Sequence, residues 1–170
     1  REIPAGKVEP RAAVLITIAG AVVFLFTAWL LGSHCLLLAP FVLIWLLAYS
    51  YAKRFTPLAH MVLGGALALA PGGAWWVLRP EIETTPLLLM AAVLCWVAGF
   101  DVLYSCQDVQ ADRDNGIRSI PAVLGVDWSL RVARGAHVLC WLLFLAVGLS
   151  SQLGWGYAFG LSLLAVPLVL

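Results

Sequence analysis

Six long apolar runs constrain this chain more than any other feature: residues 12–32, 35–52, 58–78, 86–106, 136–150 and 154–170. A hydrocarbon layer about 30 Å thick is crossed by roughly 20 apolar residues in an α-helix, with about 17 to 25 tolerated. The runs come near that length, the fifth being the shortest. Nothing alternates with the two-residue period of barrel strands, and helices are the other way to satisfy backbone polar groups in lipid. Of the 170 residues, 63% are hydrophobic and only 11% are charged, against about 25% charged in soluble domains. A water-covered globule is excluded, and so is a disordered chain, which would be poor in apolar residues. The formal net charge of +1 gives no basic excess for nucleic acid. Cys35, Cys95, Cys106 and Cys140 sit in or beside apolar runs at no metal-like spacing and read as small hydrophobes. The expected fold is all-α and integral to the lipid bilayer, a multi-span helix bundle.

The lysines and arginines orient it. Arg1, Lys7 and Arg11 precede the first run, Lys53 and Arg54 follow the second, and Arg113, Arg118, Arg131 and Arg134 follow the fourth. The other connections hold only Arg79. Alternate connections therefore carry nearly all the positive charge, which marks their side as cytoplasmic. The chain starts at Arg1 and ends inside an apolar run, so it reads as an internal piece of a longer protein. Within the spans, Pro40 and Pro71 are breakers, and Gly64, Gly65, Gly72 and Gly73 read as sites of close helix approach. The alternative is a kink that lines a cavity.

Four aspartates fall between positions 101 and 114. At about 100° per residue, steps of seven and eleven return to within about 20° of the start. A continuous helix would thus carry Asp101, Asp108 and Asp112 on one stripe with Tyr104 beside it, ending near Asn115-Gly116. Three carboxylates on one stripe repel each other and are costly at a membrane boundary. A solvated helix end is the bland explanation for Asp108 and Asp112; Asp101 lies inside the apolar run, where that explanation is weaker. A Mg²⁺ ion held by one or two carboxylates and by substrate phosphate oxygens removes the conflict. The i, i+4 pair Asp108 and Asp112 suits it, and the implied substrate has a phosphorylated head and a lipid tail. Lys53, Arg54, Arg1, Lys7, Arg113 and Arg118 bracket the aspartates, as topology determinants or as a phosphate clamp. His34, His60 and His137 are scattered singly and read as packing or interfacial residues.

The run DVLYSCQDVQADRDNGIRSIP, Asp101 to Pro121, resembles the second Asp-rich motif of the UbiA superfamily of intramembrane prenyltransferases, D-x-x-Y-x-x-x-D-x-x-x-D with a Gly-Ile-x-Ser-Ile-Pro tail. Arg1 to Val8 is similar to the R-x-[IL]-[PA]-x-G segment that follows that family's first Asp-rich motif. Tyr51, Lys53 and Arg54, with Leu63-Gly64 after them, resemble the stretch between that family's two Asp-rich motifs. Cys106-Gln107-Asp108 and Ser119 to Ala122 look most like 4-hydroxybenzoate polyprenyltransferases and their menaquinone-pathway relatives.

The resemblance implies a nine-helix bundle of which six spans are present, forming one prenyltransferase domain cut at both ends. It implies Mg²⁺-dependent transfer of an isoprenyl group from a polyprenyl diphosphate to an aromatic, 4-hydroxybenzoate-like acceptor in quinone biosynthesis. Carried onto this chain, Asp108 and Asp112 are metal ligands, and Asp101, with Tyr104 beside it, assists the acceptor or stabilises the allylic cation. Arg54 pairs with the acceptor carboxylate, and Arg1, Lys53, Arg113 and Arg118 contact the diphosphate. The implied setting is a bacterial inner (plasma) membrane with the site facing the cytoplasm. The first motif, N-x-x-x-D-x-x-x-D, would precede Arg1, so the isolated piece is expected to be inactive. Two other classes use membrane carboxylates. CDP-alcohol phosphotransferases need glycine where Tyr104 stands, and a transporter site would lie near the midplane.

Overall fold

The structure, a computed structural model, describes residue 6 and residues 9–169, without the side chains of residues 50, 53 and 166–169. Among the described residues every regular element is helical: α1 (Pro10–Leu31), α2 (Ser33–Phe55), α3 (Ala59–Leu78), α4 (Thr84–Ser105), α5 (Val109–Asp114), α6 (Ile120–Leu124), α7 (Val126–Ser150) and α8 (Trp155–Val169). The described residues form two compact units that divide between Ile44 and Trp45. The first unit holds α1 and the beginning of α2. Pro10 opens α1, where its missing N–H has no intrahelical acceptor to lose. Leu15, Ile16, Val22, Val23 and Phe26 of α1 are exposed, as a lipid-facing helix requires.

In the second unit α4 is the centre, with α3 on one side and α7 on the other, and α8 packs on α7. Helices in lipid gain nothing from burying apolar area against each other, so close backbone approach through small residues has to hold them. Gly64 of α3 abuts α4 so closely that a Cβ there would lie 2.5 Å from the Leu94 carbonyl oxygen and 3.4 Å from Ala98. On the opposite side, a Cβ on Gly99 would lie 2.8 Å from Nε2 of His137 and 3.2 Å from the Ala133 carbonyl of α7. Ala92, Cys95 and Cys140 form a buried cluster between α4 and α7. Cys35 and Cys106 are only half-buried.

The second half of α2 is tied to α3 by Trp45, whose Nε1 donates to the Val62 carbonyl at 3.2 Å, while Gly65 faces its ring. Gly72 faces the Met90 side chain of α4, and Gly73 faces open space, so the expectation of close packing holds at three of those four glycines. Both α2 and α3 continue through Pro40 and Pro71.

Among the described residues α1, α3, α4 and α7 are long and apolar enough to cross a membrane; the apolar parts of α2 (Ser33–Tyr49) and α8 (Trp155–Ala165) are shorter. The longest helix is the one whose apolar run was shortest: α7 starts at Val126, not near 136. Hydropathy stops at Arg131 and Arg134, but backbone hydrogen bonding does not. Arg131 instead lies 4.8 Å over the Trp128 ring, which shelters a charge on the helix surface.

Candidate active site

The sequence predicts a site around residues 101–118, and the structure assembles that stretch from three short turns of chain, not one helix. α4 carries Asp101 and Tyr104 and stops at Ser105. Cys106, Gln107 and Asp108 then donate to the carbonyls three residues back, of Leu103, Tyr104 and Ser105. Ser105 Oγ also donates to the Val102 carbonyl at 2.8 Å, competing for the last acceptors of the helix. The expected continuous stripe is therefore broken at 106–108. The phase between Asp101 and the later aspartates is set by this turn, not by helical periodicity.

α5 begins after Asp108 and is held at its far end. Gly116, at φ +65°, donates to the Arg113 carbonyl, and Ile117 donates to the Asp112 carbonyl at 2.8 Å. That pair of bonds is a Schellman motif, which needs the left-handed conformation that glycine takes freely. Helix α5 ends where Asn115-Gly116 led one to expect. Ser119 then caps α6, its Oγ accepting from the Ala122 N–H at 3.3 Å, and Pro121 follows where no N–H is required. The Gly-Ile-Arg-Ser-Ile-Pro tail is thus a stop signal and a start signal in series. Val102, Ile120 and Ala133 pack together and are buried, fixing α6 against α4 and α7.

Within this frame Asp112 is buried, 8% exposed, while Asp108 is exposed. Among the described residues the Asp112 carboxylate has no side-chain hydrogen bond or ion pair; Asp114, by contrast, accepts from Gln110 Nε2 at 3.0 Å. The Asp112 oxygens are not fully enclosed, so the carboxylate stays open to a cation that reaches it from outside the fold. Two carboxylates at i, i+4 offer hard oxygen donors of the kind Mg²⁺ takes alongside substrate phosphate. The donor set fits the ion. Among the described residues no group of three or more His, Cys, Asp or Glu is placed to hold a metal, so this pair is at most part of a site.

Tyr104 is exposed on the last turn of α4, and Arg118 is exposed in the connection to α6. Arg113 uses its Nε to donate to the Ala122 carbonyl at 3.2 Å, joining α5 to α6. Arg54, near the end of α2, has its guanidinium carbon 5.8 Å from the centre of the Tyr51 ring. Arg1 and the side chain of Lys53 lie outside the described residues.

One residue that spacing could not connect to the site is central to it. His60, in the first turn of α3, is fully buried, and its Nδ1 lies 2.7 Å from Oδ2 of Asp101. Its other ring nitrogen, Nε2, accepts from the Ile120 backbone N–H at 3.3 Å. The sequence expectation of a packing histidine holds in that His60 is buried, and the ring also joins α3, α4 and α6 through two polar contacts. The residues it joins are 41 and 60 positions away, which no local pattern connects.

An all-helical membrane bundle with paired carboxylates in the short segment that follows a central helix defines a class of intramembrane enzyme scaffolds, and the chain belongs to the UbiA prenyltransferase family, whose pattern it matches over residues 1–170. It is 29% identical over 175 residues to a polyprenyl transferase of Arthrinium sp, covering 98% of this chain and 55% of that protein. It is 30% identical over 168 residues to a 4-hydroxybenzoate octaprenyltransferase of Aeromonas hydrophila, covering 95% of this chain and 56% of that protein. The chain therefore spans about half the length of these curated relatives. Among solved structures, the apo structure of a UbiA homolog from Aeropyrum pernix K1 superposes with a TM-score of 0.89 at 36% identity, over 99% of this chain and 64% of that one.

Proposed function

We propose that the protein to which this chain belongs transfers a polyprenyl group from its diphosphate to an aromatic, 4-hydroxybenzoate-like acceptor, with Mg²⁺, as a step in quinone biosynthesis. The observation that carries this reading is the pair of carboxylates one helical turn apart, Asp108 exposed and Asp112 on a largely sheltered residue without a protein partner among the described residues. Asp108 and Asp112 hold the ion, which neutralises charge on the diphosphate when bound.

The chain's own residues then divide the remaining work. Arg113 and Arg118, with Arg1 and Lys53, hold the diphosphate as it leaves with the electron pair of the broken C–O bond. Asp101 sets its negative charge where the allylic cation develops and where the acceptor approaches, with Tyr104 on the following turn. Arg54 pairs with the acceptor carboxylate. Orientation follows the arginines, which put the site at the cytoplasmic face of an inner membrane.

The test is radiolabelled prenyl transfer to 4-hydroxybenzoate by the full-length protein, with Mg²⁺ and with a chelator. Transfer that needs Mg²⁺ is the expected result. Arg54→Ala should raise the acceptor KM about 10- to 150-fold, the equivalent of one charge-assisted hydrogen bond, and leave the donor KM nearly unchanged. Chelator-insensitive transfer contradicts the metal reading, and equal effects on both KM values remove the acceptor role of Arg54.

A further inference from the structure

The His60 contacts specify more than packing. A backbone N–H only donates, so the Ile120 bond requires a lone pair on Nε2. The ring is then the neutral tautomer whose single proton is on Nδ1, and Nδ1–H can only donate to Asp101 Oδ2 at 2.7 Å. His60 is fully buried and the Asp101 side chain is 15% exposed, so the bond is held away from competing water. Gly64, one turn along α3, brings the two helices into contact beside it, and Ser119 and Ile120 are themselves buried. The donor is fixed at one end by α6 and the acceptor at the other by α4.

We propose that His60 is a positioning residue for Asp101. The α6 N-terminus sets the imidazole tautomer, and the imidazole sets the orientation of the carboxylate toward the cation and acceptor. A second consequence is that α6, which follows the Asp108–Asp112 segment, is hydrogen-bonded through one ring to the carboxylate that precedes that segment. The two ends of the motif are thereby held in fixed relation. This inference rests on the role given above to Asp101.

The two nitrogens can be separated by substitution in the full-length enzyme. Asparagine places an amide N–H near the position of Nδ1 and gives up the Ile120 contact; glutamine reaches the Nε2 position and gives up Asp101. His60→Asn should keep kcat for prenyl transfer within about threefold of wild type, while His60→Gln should lower it about 10- to 150-fold with the donor KM little changed. His60→Gln added to Asp101→Asn should cost nothing further, because the pair acts as a unit.

Equal effects of the two His60 variants, or additivity with Asp101→Asn, would overturn the proposal and mark the ring as a packing element. Where His60→Gln does not accumulate, His60→Leu, which lacks the Nδ1–H donor, takes its place: a kcat at least about tenfold below that of His60→Asn supports positioning, and equal kcat values contradict it. Wild-type kcat in Asp101→Asn is a different failure, since it removes Asp101 from the reaction and with it the reading on which this inference rests.

Discussion

The α3–α4–α7 core and the segment from Asp101 to Pro121 are held together by opposite means. The core has almost no polar contacts and depends on absent side chains: Gly64 against Leu94, and Gly99 against Ala133 and His137. The segment that follows is built from polar contacts, with a Schellman stop at Gly116, a serine cap at Ser119 and the Arg113 bond to Ala122. In lipid, helices must be fitted to each other by shape. At the water boundary, short helices have most of their backbone groups unpaired and must be capped. His60 belongs to both regions, since it is buried in the first and hydrogen-bonded to the second.

The largest stability effect should fall in the packed core. Gly64→Ala forces a Cβ to within 2.5 Å of the Leu94 carbonyl, and backbone cannot move aside as a side chain can. A loss of about 1–3 kcal/mol is expected, read as a lower thermal midpoint in detergent. Gly73→Ala on the same helix meets nothing within 4 Å. It should instead stabilise by about 0.5–1 kcal/mol through the lower flexibility of alanine. Equal responses at the two glycines would mean that close approach is not what holds α3 to α4.

In the capped segment a smaller loss is expected. Ser119→Ala removes the acceptor for the Ala122 N–H and should cost about 0.5–2 kcal/mol. Its signature is local: amide exchange in α6 should speed up while α3 and α4 stay protected. Global loosening would erase the distinction between the two regions.

Much of this was legible from composition and spacing. The apolar runs locate the long helices because a bilayer leaves few other solutions, and Asn115-Gly116 marks the end of α5 because its left-handed turn needs glycine. The start of α7 was hidden by Arg131 and Arg134, charged residues on a helix face that hydropathy reads as loop. The break at 106–108 was hidden as well. Helical spacing shows which residues would align if a helix continued, but Ser105 and Cys106 bond back to the Val102 carbonyl, and the helix stops. His60 was out of reach for a different reason: its partners are set by how three helices pack, and packing by small residues leaves no side-chain signature pointing to the partner.

Asp108 and Asp112 remain the residues on which the functional reading depends. The direct measurement is the rate of radiolabelled prenyl transfer by full-length Asp108→Asn and Asp112→Asn variants across a Mg²⁺ titration, alongside their thermal midpoints. If the pair holds the ion, both variants fold, Asp112→Asn is about as stable as wild type because the carboxylate makes no hydrogen bond among the described residues, and transfer falls by orders of magnitude even at saturating Mg²⁺. Near-normal rates in both variants at saturating Mg²⁺ would contradict the assignment and move the metal elsewhere.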